Sequence, residues 1–157
     1  MDESALIRML DGRVVIACIG NELRGDDGVG PFIAGILKPT DRVAVVNCGE
    51  TPENYLGVIA GYRPEHVVII DAAYFGGEPG EVRVVKKSEI AGGGASTHDA
   101  ILTLFAEYIE AQTGAEAFFV AIQPQTSQVG NVLSPPVEAA ARELASAINQ
   151  LIEAGTE

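Results

Sequence analysis

Val14-Val15-Ile16-Ala17-Cys18-Ile19-Gly20-Asn21-Glu22-Leu23-Arg24-Gly25-Asp26-Asp27-Gly28-Val29-Gly30 is the stretch on which the reading of this chain turns. Residues 14–19 are uninterruptedly apolar, the signature of a strand buried on both faces. At Gly20 the run breaks into a loop rich in glycine and acid. A helix is expected near Pro31, because proline suits a first helical turn. The acidic pair Asp26-Asp27 therefore stands where a strand hands over to a helix. In an open parallel sheet, that carboxyl edge is where ligands bind.

A glycine-rich strand-loop-helix first suggests a phosphate cradle, but the details oppose it. Neither G-x-G-x-x-G nor the Walker pattern fits, and no lysine follows the glycines. Two adjacent carboxylates would repel a pyrophosphate and suit a cation better. The competing reading is that one of the pair merely caps the helix.

Gly20 through Pro31 also resembles the opening motif of the hydrogenase maturation endopeptidases, matching residue types over a dozen positions. That resemblance implies an enzyme that trims the C-terminal tail of the large subunit of a [NiFe] hydrogenase.

At 157 residues one domain is expected, spanning 1–157. An apolar fraction of 47% supplies a full core. A net charge of −12 disfavours nucleic acid and anionic membrane, both of which need basic patches. It suits a metal ion or a basic peptide. The first residues carry Asp2 and Glu3, wrong for the basic start of a signal peptide. No apolar run approaches the roughly 18 residues of a membrane span. Cys18 and Cys48 sit in apolar surroundings and read as reduced core thiols of a cytoplasmic protein.

Residues 1–12 read as a frayed lead-in. Strands are expected at 13–19, 42–47, 66–72, 81–86 and 117–122, the fourth as an edge strand. Helices are expected at 31–37, after Thr51 as cap with Pro52 in the first turn, from Thr97 onward, and from Ser134. Residues 91–96 are glycine-rich, and 123–133 form a loop. In the last helix Val137, Ala140, Ala141, Leu144, Ile148, Leu151 and Ile152 fall on one stripe and read as core. Alternating strands and helices predict an α/β fold. It is a three-layer sandwich with a mostly parallel, twisted sheet and helices on both faces.

Three residues share a topological address. Asp27 follows the first strand, Asp71 ends the third, and His98 opens the helix after the fourth. Such loops can converge on one crevice. Two carboxylates and an imidazole suit Ni²⁺, Zn²⁺ or a similar divalent ion, and leave coordination positions open. The positive end of the helix disfavours protonation of His98, which favours a metal-competent ring. The duller readings are a turn cap for Asp71 and a plain loop residue for His98. His66 reads as a surface residue, and Glu22 and Arg24 as the rim of the first loop. Gly49, Glu50, Thr97 and Gln123 are the substrate-contact candidates, on loops expected at the same sheet edge.

The family resemblance extends through Pro52-Glu53-Asn54, Arg63-Pro64, Ile69-Ile70-Asp71-Ala72, Pro79-Gly80-Glu81-Val82-Arg83, Ser96-Thr97-His98 and Ala121-Ile122-Gln123-Pro124. It is closest to the hydrogenase-3-type branch, which has Asp-Asp where other members have Asp-Glu. Asp99-Ala100-Ile101 departs from the family pattern. By resemblance, Asp27, Asp71 and His98 are the metal-binding trio. The nickel is brought by the large-subunit precursor, and zinc or cadmium can stand in for it; a monomer is the default expectation for a domain of this size. Two ways of cutting the bond stay open. A metal polarises the scissile carbonyl or activates water, or Asp27 or Asp71 serves as general base in an aspartic-type mechanism. A nickel-binding maturation chaperone or carrier without protease activity is the alternative. The thiols or histidine-rich tract such a carrier usually offers are absent. A nucleotide-binding α/β domain is the third reading, weakened by the missing phosphate signatures.

Overall fold

The computed structural model describes residues 3–86 and 97–155. The glycine-rich stretch 91–96 lies outside them, as do the side chains of residues 86 and 97–100.

The strands with unbroken apolar runs take the centre of the sheet. They are β1 (Val14–Ile19), β3 (His66–Ala72) and β5 (Glu116–Ile122), flanked by β2 (Val43–Gly49) and β4 (Val82–Lys86). Spatial order is β2-β1-β3-β5-β4. β1 runs parallel to β2 and to β3, with Val14 opposite both Val43 and His66. β3 runs parallel to β5, and β4 closes one edge antiparallel to β5, Val82 facing Ile122. All six residues of β1 are buried, as parallel strands covered on both faces require.

Helices cover both faces. α2 (Val29–Ile36) and α5 (Pro135–Ala154) share one apolar cluster with Ile16, Val68 and Val120. α3 (Leu56–Gly61) and α4 (Thr97–Thr113) share the other with Val15, Ile69 and Phe119. The result is the expected three-layer α/β arrangement. The stripe on α5 is core: Val137, Ala141, Leu144, Ile148 and Ile152 are buried.

Three local expectations are corrected. The lead-in is not frayed, because Glu3–Met9 forms a helix, α1, that buries Leu6 and Met9. Each such side chain contributes roughly 1.5–3 kcal/mol, and Arg42 fastens the following turn through the Leu10 and Gly12 carbonyls at 2.6 and 2.8 Å. α2 starts at Val29, two residues before Pro31, after a 3-10 turn at Gly25–Gly28. Thr51 makes no side-chain cap.

Cys18 and Cys48 are free and buried, one in each apolar cluster. Burial raises both thiol pKa values, that of Cys48 to about 12.

Candidate active site

Chain order reverses between β1 and β3: β2 lies to one side of β1, and β3, β5 and β4 to the other. In an open parallel sheet the carboxyl ends of the strands at such a point are where ligands bind. Asp71 stands there, one residue past the last β1–β3 pair, Cys18 with Ile70. It alternates in phase with Val67 and Ile69, so its side chain points into the layer of α3 and α4. Only 4% of it is exposed.

Asp27 follows β1 at the same sheet edge, in the 3-10 turn, which packs against β3. Its Oδ2 accepts the Asn21 N–H at 3.0 Å, and its carbonyl oxygen accepts the same N–H at 3.1 Å. This return of the chain needs two glycines. Gly20 has φ +148°, and a Cβ there would overlap the Asp27 carbonyl oxygen. Gly30 lets α2 pack on the β1 backbone, where a Cβ would overlap the Ile19 carbonyl oxygen.

Asp27 lines a cleft of about 560 Å³ together with Arg24, Glu50, Glu53, Ile101 and Leu102. Ala72 and Ala73, which follow Asp71, form part of its wall. A wider hollow of about 730 Å³ lies beside Arg13, Arg63 and His66 at the opposite end of the strands, away from the carboxylate pair. There the His66 Nδ1 meets the Asp11 carbonyl at 2.7 Å.

The backbone of α4 begins at Thr97, and position 98 precedes the cleft residue Leu102 by one helical turn. The side chains of Thr97 and His98 lie outside the described residues. Among the described residues no three His, Cys, Asp or Glu side chains are grouped to hold a metal. Asp27 and Asp71 are hard oxygen donors at one edge of the sheet, and a divalent ion there needs donors beyond them.

The other candidates divide. Glu50 is exposed and lines the cleft, while Gly49 supplies the carbonyl that accepts the Gly20 N–H at 2.9 Å. Gln123 is buried, and its Oε1 accepts the Phe75 and Gly77 N–H groups at 2.9 and 3.2 Å. It orders the loop after β3 that carries Tyr74 along the cleft.

The two halves of the acidic pair have different tasks. Asp26 is fully buried and caps neither the 3-10 turn nor α2. Its Oδ2 accepts the N–H of Gln125 at 2.8 Å, the N–H of Thr126 at 3.0 Å and the Ser134 hydroxyl at 2.7 Å. Its Oδ1 accepts the Ser134 N–H at 2.7 Å. Burial works against the charge, but these bonds from Ser134, Thr126 and Gln125 outweigh it and hold the carboxyl below the usual carboxylate range. Asp26 thus ties the first loop to residues 125–134 and to the start of α5.

The sequence profile of the HycI hydrogenase maturation protease family matches residues 33–153. This chain belongs to that family. The Hydrogenase 3 maturation protease of Escherichia coli K12 is 34% identical over 113 residues, 70% of this chain and 72% of the relative. A crystal structure of a [NiFe] hydrogenase maturation protease HycI from Thermococcus kodakarensis KOD1 superposes with a TM-score of 0.87 at 36% identity, covering 95% of this chain and 99% of that one. The HybD maturation protease of Thermococcus kodakarensis gives 0.70 at 28% identity, over 89% of this chain and 99% of the other.

The protease is thus an endopeptidase, and among its described residues no helix is long and apolar enough to cross a membrane. Residue-by-residue reading placed Arg24 at a rim, and the structure places it in the cleft lining. Ser127 and Tyr74 in that lining escaped it, since neither belongs to a motif and loops of no fixed period carry both.

Proposed function

We propose that this protease removes the C-terminal extension of a [NiFe]-hydrogenase large-subunit precursor once nickel has been inserted. The reading is supported by the place of Asp27 in a cleft at the carboxyl edge of the sheet, whose wall includes Ala72 and Ala73 directly after Asp71. Family membership gives the reaction class, and the two carboxylates give it a place to occur.

In this reading nickel is cargo, delivered on the client's own ligands. Asp27, Asp71 and His98 complete its shell, and zinc or cadmium can replace it. Asp27 also faces the cleft with one carboxylate oxygen steadied by Asn21, which suits it to take a proton from the attacking water. Asp71 is buried at the end of its strand. Glu50 and Thr97 meet the client peptide, while Gly49 and Gln123 shape the loops that receive it. One unit, residues 1–157, acts as a monomer in the cytoplasm.

Incubation of the purified protein with a nickel-loaded, tail-bearing large-subunit precursor, followed by mass spectrometry, tests this. Loss of the extension supports the reading. Transfer of nickel with the tail intact would instead identify a carrier.

A further inference from the structure

Hydrolysis of a peptide bond in this cleft poses an electrostatic problem. Attack by water puts negative charge on the carbonyl oxygen, and the cleft already presents the carboxylates of Asp27, Glu50 and Glu53. A like charge developing nearby raises the barrier, whereas a positioned cation lowers it. Among the described lining residues Arg24 is the one cation.

Arg24 is also held in an unusual way. Its N–H donates to the Asn21 carbonyl at 3.1 Å, and its own carbonyl accepts the Asp27 N–H at 3.1 Å. It is bridged to Gly130, with flanking bonds from Gly130 N–H to the Leu23 carbonyl and from Gly25 N–H to the Gly130 carbonyl, each 2.8 Å. The backbone is fixed from both sides, yet the guanidinium has no hydrogen bond or ion pair among the described residues. Other arginines are engaged: Arg13 with Glu65, Arg42 with two carbonyls, Arg83 with Glu81 and the Phe75 ring, and Arg142 with Glu138 and the Phe32 ring. Arg63, likewise without a described side-chain partner, lies at the far end of the strands.

We infer that Arg24 is a catalytic residue whose guanidinium binds the scissile carbonyl oxygen and carries the charge it gains. The inference rests on the proposed peptide cleavage. Water oxygen bonds to the carbonyl carbon, its proton passes to the Asp27 carboxylate, and the carbonyl π pair moves onto the oxygen facing Arg24. On collapse the C–N bond breaks and the leaving amine takes the proton from Asp27. The product acid passes its remaining proton to the freed amine, and the resulting carboxylate lies beside Arg24 rather than among the acids alone.

The test measures cleavage of the nickel-loaded precursor by wild type, R24A and R24K, with kcat and KM determined separately. Circular dichroism confirms that each variant is folded. R24A is expected to lose about a hundredfold in kcat, the usual effect of removing one oxyanion donor, with KM nearly unchanged. Guanidinium ion added at millimolar concentration should restore part of the R24A rate, and R24K should fall between wild type and R24A. An unchanged kcat, a loss confined to KM, or a kcat loss that guanidinium leaves untouched would each overturn the assignment. Failure of wild type to cleave would overturn the protease reading itself, and the role of Arg24 with it.

Discussion

Ser134 grips Asp26 with both of its donors: its N–H and its hydroxyl each stand 2.7 Å from a different carboxylate oxygen. Residues 108 positions apart in the chain are thereby joined at the foot of α5. The Ser134 hydroxyl consequently makes no cap of its own on the helix it precedes. The bond places residues 125–128, including the cleft residue Ser127, against the loop that carries Asp27.

Removing the carboxylate should therefore destabilise the protein. Asp26→Ala leaves four donors without their acceptor in a buried position, a loss of about 3 kcal/mol for a charge-assisted network of this kind. In a domain of this size that lowers the melting temperature by roughly 10 °C. Ser134→Ala removes one bond of the four and should cost about 1 kcal/mol. Equilibrium urea unfolding of the two variants measures both, and a D26A protein as stable as wild type would contradict the clamp.

The same group sets a pH dependence. The folded state lowers the pKa of Asp26, so the unfolded chain binds the proton more readily. Its stabilisation is complete above the ordinary carboxylate pKa of about 4. It is lost as pH falls from there through the depressed folded value. Unfolding free energies of wild type and D26N, compared from pH 7 down to pH 3, should converge toward the acid end. A gap that stays constant would deny the linkage.

How much of this was legible in the sequence follows from the range of each interaction. β1, β3 and β5 announce themselves because both faces are buried and their apolar runs are unbroken. Asp27 and Asp71 could be placed at one edge of the sheet because a strand's carboxyl end is a local feature, and the switch-point rule says where such ends lie. Asp26 beside Asp27 looks the same in sequence, and only the return of residues 125–134 from the far end of the chain separates an anchor from a cleft group. α1 was missed because seven residues give little periodicity, although Leu6, Met9 and Leu10 stand at helical spacing. Gln123 belongs to the right edge, but its side chain was committed to the Phe75 loop by contacts that no motif records.

Asp27→Asn and Asp71→Asn should each abolish processing while leaving the fold intact, since both substitutions keep size and lose the charge. A drop of at least a hundredfold in the cleavage rate is expected for either, the lower range for losing a general base. The same assay run on a nickel-free precursor separates the two mechanisms. Cleavage without nickel would leave the carboxylates alone responsible, and a strict need for nickel would give the metal a part in the chemistry. Retention of full activity by D71N would remove Asp71 from the site.

The close approach of α2 to β1 makes Gly30 intolerant of a side chain. In Gly30→Ala the methyl group would overlap the Ile19 carbonyl oxygen, which is backbone and cannot rotate aside. The helix must shift outward, at about 1–3 kcal/mol, and the 3-10 turn carrying Asp27 moves with it. Activity should thus fall more than stability alone explains. Gly35, with open space where its Cβ would project, serves as the control: Gly35→Ala should keep both stability and cleavage. Equal behaviour of the two variants would show that the helix position does not govern the cleft.

The thiols supply a final check on the layers. Cys18 lies wholly buried against the cluster of α2 and α5, and Cys48 is 1% exposed against that of α3 and α4. Thiolate is the reactive form, and burial holds the Cys48 pKa near 12 and that of Cys18 higher still. At pH 8 neither should react with a thiol-disulfide reagent over the hours in which a free cysteine reacts fully, and both should react at once in denaturant. Because the two cysteines sit in different layers, modification of one alone in mild denaturant would show which helical layer opens first. Ready labelling of either in the native protein would mean that its layer does not cover the sheet.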